Sequence, residues 1–354
     1  MRGPILNRRS LLKSLGAAGV VCLAGCADRG GLESGDKIDP YLKTHVGDGD
    51  RTYIPPGTYQ WNGSGLNASN RLVGNGDTGD VVLELQSGSM SGSVRGSLEN
   101  IVVRGLNHES KAGIDLYPGG EIDGFCWPDG GDKDQDRAIF HPNPGTRTSI
   151  RNTCVAGMAN NGAYVDKAPV TVENSAFLNN NIANLRVGHR AGSNREATSY
   201  ISNSLIAVTS SVRTGVENAS QNPVGLRIRH PGQFVVENCW LVFTSGAPPA
   251  DGIIELRGDD ITAEFRNCHF YNDTKNDLIL DAGSNNRATL SNCTVSGSGK
   301  TDISVESTSG SPTKTSVRVP APSAITGFSE ADESYGFDLT EHPFDSTGVT
   351  GADR

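Results

Sequence analysis

A short phrase returns six times along this chain: an apolar residue, any residue, Asn, a small residue, any residue, and an apolar residue again. It reads Ile150-Arg-Asn152-Thr-Cys-Val155, Val172-Glu-Asn174-Ser-Ala-Phe177 and Ile201-Ser-Asn203-Ser-Leu-Ile206. It continues as Val236-Glu-Asn238-Cys-Trp-Leu241, Phe265-Arg-Asn267-Cys-His-Phe270 and Leu290-Ser-Asn292-Cys-Thr-Val295. Successive Asn residues lie 22, 29, 35, 29 and 25 positions apart. Periods of roughly 20 to 50 residues mark stacked supersecondary units, none able to bury its apolar face alone. The unit is extended, because its apolar residues are two or three positions apart and dense in Val, Ile and Phe.

A second set of strands interleaves with the first. Its members are Gly113-Ile-Asp-Leu116, Gly162-Ala-Tyr-Val165, Asn184-Leu-Arg-Val187, Gly225-Leu-Arg-Ile228, Gly252-Ile-Ile-Glu-Leu256, Asp277-Leu-Ile-Leu280 and Asp302-Ile-Ser-Val305. A repeat of this length cannot fold into hairpins and still keep the phrases in register. A coil can, with each turn lying on its equivalent, strands about 4.8 Å apart and like residues in columns. The expected fold is all-β: a single-stranded right-handed parallel β-helix of roughly eight to ten coils. Composition agrees, with 44 Gly and only 6% aromatic residues, since a narrow core needs few large side chains. Asn at a recurrent bend has a physical reason: it tolerates the left-handed conformation and its amide can bond the Asn above and below.

These phrases, with the opening segment Tyr53-Ile-Pro-Pro-Gly-Thr-Tyr59 and Leu72-Val-Gly-Asn-Gly76, resemble the pectin-lyase-like right-handed parallel β-helix superfamily. The resemblance covers residues 50–320 and speaks for fold far more than for activity, because one fold hosts many functions. Members that cleave uronates use Arg or Lys as base, often with calcium held by carboxylates.

The ends read differently. Asn7-Arg8-Arg9-Ser10-Leu11-Leu12-Lys13 resembles a twin-arginine export signal, and Leu23-Ala24-Gly25-Cys26 resembles a lipobox in which Cys26 is lipidated. Residues 1–26 are therefore expected to be a signal peptide that places the protein, lipid-anchored, on the extracellular face of the membrane. Residues 27–49 read as a tether and 321–354 as a cap or tail. The stretch 125–144, which interrupts the repeat, reads as a protruding loop. Without residues 1–26 the chain keeps 27 basic against 40 acidic residues, a net charge of −13. That balance lacks the basic footprint of a nucleic-acid binder. The oligomeric state is not legible.

Five cysteines follow Cys26. Cys239, Cys268 and Cys293 each succeed a repeat Asn, where Ser175 and Ser204 stand in other copies. They read as small inward residues with free, buried thiols. For Cys126 and Cys154 a free pair is favoured and a disulfide stays open as the alternative.

The second strand set aligns one outward column as Asp115, Tyr164, Arg186, Arg227, Glu255 and Ile279, and the next as Tyr117, Asp166, Gly188, Arg229, Arg257 and Asp281. Leu185-Arg-Val-Gly-His189 matches Leu226-Arg-Ile-Arg-His230, which sets Arg186 beside Arg227 about 5 Å apart. Cations so close call for an anionic partner or for the carboxylates Asp166, Glu255 or Asp281. In β-elimination on a uronate, Arg229 or Lys167 would serve as base, with Arg186, Arg227 and Arg257 binding carboxylates or sulfates. Hydrolysis would need two carboxylates flanking the bond, with Asp166, Glu255 and Asp281 as candidates. His189 and His230 complete the substrate-binding set. The competing reading is a solvated charged face whose ladders only stabilise the coil.

Asp132-Lys-Asp134-Gln-Asp136 has the spacing of a calcium loop, but Arg137 stands where such loops need Gly. A solvated acidic loop is the favoured reading and a calcium site the alternative. The function expected is engagement of an extracellular, anionic polysaccharide, along the outward columns and the loops 188–198, 209–223 and 243–251. A polysaccharide lyase and a non-catalytic adhesion or surface protein remain the other readings.

Overall fold

The structure, a computed structural model, describes residues 31–46, 51–86, 90–108, 113–192, 196–216 and 219–314. The signal and lipobox with Cys26, and the cap or tail at 321–354, lie outside the described residues. From Glu33 onward the described chain is a parallel β-solenoid of about nine turns.

One turn shows the plan. Val170–Glu173 runs to a bend at Asn174, Ala176–Leu178 leaves it, and Ala183–Val187 closes the turn. The first two rows of strands share a long sheet of 20 strands, and the third row forms a short sheet of nine. Every pairing between turns is parallel and in register, as Leu185 with Leu226 and Val172 with Ile201 show. This is the all-β parallel helix that the repeats predict.

The Asn phrase is the bend itself. Asn100, Asn152, Asn174, Asn203, Asn238, Asn267 and Asn292 all take the left-handed conformation, with φ from 46° to 53°. Their amides bond between turns: Asn174 Nδ2 donates to Asn152 Oδ1 at 2.6 Å, and Asn292 Nδ2 to Asn267 Oδ1 at 2.8 Å. Gly124, at φ 72°, replaces Asn in one turn, and Asn152 Nδ2 there donates to Asp123 Oδ1 instead, at 2.7 Å. The next residue is turned inward and caps a carbonyl two positions back. Ser175 donates to Glu173 O at 2.8 Å, and Cys239 takes the same place toward Glu237 O at 3.2 Å. Cys239, Cys268 and Cys293 are thus free, buried thiols, and burial pushes the Cys268 thiol well up.

Inside, columns such as Ile122, Ile150, Val172, Ile201, Val236 and Phe265 stack with no exposure. A turn alone would leave them wet. Stacking buries each for about 1.5–3 kcal/mol, which is why the turns stand or fall with their neighbours.

Three expectations change. Residues 125–144 are not a protruding loop: Phe125, Cys126 and Trp127 end the strand Glu121–Trp127, and Ile139–Phe140 forms a rung of the short sheet. A rung of two residues is too short to show alternation, which hid it in the sequence. Cys126 and Cys154 face each other in register and form a disulfide, their Cα atoms 4.5 Å apart. Residues 33–46 do not behave as tether. Gly35 and Ile38 bond to Thr58 and Gln60, and the helix Asp39–His45 lays Leu42, 1% exposed, on the first turn. Apolar Ile38 and Leu42 seal an end that would otherwise expose the core.

Candidate functional site

The short sheet carries the candidate residues. Its outward column runs Asp115, Phe140, Tyr164, Arg186, Arg227, Glu255 and then Leu280. The expected ending on Ile279 is off by one position. Paired apolar residues, Ile253-Ile254 and Leu278-Ile279, blur the alternation that would have fixed the phase. Asp281 consequently stands in register with Leu256 rather than Arg257. Its carboxylate accepts from Gly283 N at 3.1 Å and Asn286 Nδ2 at 2.7 Å, so it braces a bend and does not join the other candidates.

Arg186 and Arg227 are adjacent, as expected, and they are buried. Their counter-charges come from the protein. Arg186 holds Asp166 through Nε at 2.9 Å and Nη2 at 2.8 Å, donates to Tyr164 Oη at 2.7 Å, and lies 3.7 Å from the Tyr164 ring centre. Arg227 pairs with Glu255 through Nε, and its Nη2 lies 3.8 Å from Asp251. Glu255 also takes Arg257 Nη1 at 3.3 Å. Asp251, from the loop 243–251, is the carboxylate that column reasoning missed; no strand periodicity reaches into that loop.

His230 adds an unusual contact. Its φ is 78°, and Nε2 lies 3.5 Å from Asp166 Oδ2, although a whole turn separates the two. Gly188 occupies the turn between and leaves the gap; a Cβ there would fall 1.7 Å from Arg229 O. Burial pushes the Asp166 carboxyl up, but the His230 hydrogen bond and the Arg186 charge outweigh it and hold the group below its ordinary value. Burial pulls the Arg227 guanidinium down even beside Glu255.

His189 is not on the outer face. It is buried at the corner, with Nε2 2.8 Å from Ser199 Oγ and its ring 4.8 Å from that of Phe234. It packs inside the corner, away from solvent. Arg229 is half-buried, and among the described residues it forms no ion pair; Arg257 is exposed. Lys167 is half-buried, donates to Pro142 O at 2.9 Å, and lies 4.5 Å from the Phe140 ring centre. Burial, then the charge of Arg190, draws its ammonium down. Phe140 and Arg137 enter the site from the stretch read as a loop, which is why the sequence passed over them.

The three aspartates of the early stretch do not converge. Asp136 is buried and accepts from Asn107 Nδ2 at 2.9 Å and Lys133 N at 3.0 Å, while Asp132 pairs with His108 at 2.9 Å. Asp134 takes Gln135 Nε2 at 3.4 Å. Among the described residues no three His, Cys, Asp or Glu side chains gather as a metal site.

Around the column, Arg137, Lys167, Arg186, Arg190, Arg227, Arg229 and Arg257 outnumber Asp115, Asp166, Asp251 and Glu255. The excess is cationic on a chain whose net charge is −9. No protein-family model matches the chain and no curated protein matches it. Among solved structures it is similar to a chain described as Geobacillus virus E2 ORF18, with 14% identity and a TM-score of 0.40. That likeness covers 78% of this chain and 56% of the other, so this chain spans a little over half of that structure's length.

Proposed function

We propose that the protein binds an anionic extracellular polysaccharide along the outer face of the short sheet, as a pectin-lyase-like right-handed β-helix. In this reading residues 1–26 export the chain by the twin-arginine route, and Cys26 anchors it to the outer membrane face through lipid. One observation carries the reading: an acidic protein gathers an excess of Arg and Lys around one column of the short sheet, part of it open to solvent. An extended polyanion suits a long solenoid face, whose successive turns offer contacts along the length of a polymer. Binding is preferred to hydrolysis because the carboxylates are committed. Asp166 and Glu255 are locked in buried ion pairs, and Asp281 braces a bend elsewhere.

A second reading, β-elimination, draws support from Arg229, which is half-exposed and forms no ion pair among the described residues, as a base needs. One experiment separates them. Incubate the protein with a panel of uronate-bearing and sulfated polymers, then follow retention and the new ultraviolet absorbance of unsaturated uronates. Retention of intact polymer, weakened by Arg229→Gln with Arg257→Gln, supports binding. Absorbance that disappears with Arg229→Ala supports the lyase. Neither signal on any polymer leaves a structural or adhesion role and overturns both.

A further inference from the structure

The accessible part of this face is not where the charge is densest. Arg186, Arg227, Asp166 and Glu255 are shut away and satisfy one another, whereas Phe140, Tyr164, Arg137 and Lys167 are each only half-buried. In that open section two cations share one ring. The Arg137 guanidinium carbon lies 4.5 Å from the Phe140 ring centre, and Lys167 Nζ lies 4.5 Å from the same centre.

Neither cation forms an ion pair among the described residues. Arg137 donates to Gln135 O at 3.2 Å and Gln135 Oε1 at 2.9 Å, and Lys167 to Pro142 O at 2.9 Å. Most donors of both groups therefore stay available. Two like charges braced on one ring and partly stripped of water repel, and burial depresses both. Asp115, in register with Phe140, forms no ion pair with either; its charge acts on both through space and offsets only part of the repulsion. An oxyanion that met both would relieve the repulsion and use the free donors, the guanidinium in a two-pronged fashion and the ammonium as a point charge.

We infer that Arg137 and Lys167, braced on Phe140, form the subsite that receives one oxyanion, a carboxylate or a sulfate, of an acidic sugar unit. This rests on the polysaccharide reading of the short sheet. It moves the ligand's anchor from the Arg186–Arg227 ladder, which the protein neutralises itself, to a rung the sequence had hidden.

The test uses the full chain and three probes: polygalacturonate, a sulfated galactan, and inorganic sulfate against chloride at matched ionic strength. Affinity for the polymers is titrated across salt concentrations, and the sulfate-specific rise in Tm is measured. Lys167→Gln and Arg137→Gln should each weaken the bound polymer about tenfold and flatten its salt dependence. Both should abolish the sulfate-specific stabilisation. Lys167→Arg, which keeps the charge, should stay within about threefold of the parent, and Arg266→Gln on the long sheet within about twofold. The polymer that binds tells carboxylate from sulfate. If the parent binds a polymer and Lys167→Gln binds it equally well, the subsite is refuted while the polysaccharide reading stands. If no polymer binds but sulfate still stabilises through Arg137 and Lys167, the subsite stands and the reading falls. Loss of both signals overturns both.

Discussion

Asp166 should be the most sensitive charged residue on the short sheet. Its side chain is 1% exposed and that of Arg186 is 8%, and they meet at 2.8 Å with His230 3.5 Å away. Changing Asp166→Asn keeps the volume and removes the charge, leaving a buried guanidinium without its counter-ion. Removing one partner of a buried pair costs about 3–5 kcal/mol, far above the 0–1 of an exposed pair. Because most contacts join adjacent turns and His230 reaches Asp166 from one turn further, the loss should appear first in the turns around residues 163–190 and at His230. Urea unfolding followed by circular dichroism gives the free energy, and hydrogen exchange shows which amides open. Replacing both partners, Asp166→Asn with Arg186→Met, should recover a large part of the loss, since no charge is then stranded. The pH dependence has a definite sign. The folded carboxyl lies below its ordinary value, so its contribution is complete above the unfolded value of about 3.9 and fades as pH falls through the depressed one. A loss below about 1 kcal/mol, or an equal loss in single and double variants, would refute the reasoning.

Four further outcomes follow from the fold. Asn203 has φ 48°, so Asn203→Ala should cost about 1–2 kcal/mol in urea titrations, and Asn203→Gly should recover most of it by tolerating the angle. The Cys126–Cys154 disulfide spans 28 residues, and replacing both by Ser should cost about 3–4 kcal/mol by loop entropy. Peptide mapping after alkylation should meanwhile find Cys239, Cys268 and Cys293 unreactive until the chain unfolds, since all three are buried. His141 is 1% exposed, and burial pulls it down to about 3. The unfolded state takes up the proton near 6.5, so stability should fall on acidification from there toward 3, by up to about 1.4 kcal/mol per pH unit. His141→Gln should flatten that slope in a pH series of denaturation curves; an unchanged slope would count against a buried neutral imidazole.

The sequence by itself determined the solenoid, the bends and the neighbours. Asn at 152, 174, 203, 238, 267 and 292 needs only local chemistry to bend the chain, and identical residues at equivalent positions must stack. That was enough to set Arg186 beside Arg227 and to read Cys239, Cys268 and Cys293 as inward thiols. Tertiary structure decided the rest. Whether a column is wet or covered depends on the side chains that fold over it, and these left Arg186 buried while Phe140 stayed half-open. The Asp251 contact, the disulfide between two turns and the reach of His230 across Gly188 all join residues separated by one or more circuits of the coil. The phase of the strand Asp277–Asp281 was equally out of reach, because three apolar residues in succession erase the alternation that reports it. Periodicity tells a chain which residues stack; only packing between turns and loops decides which of them a ligand can touch.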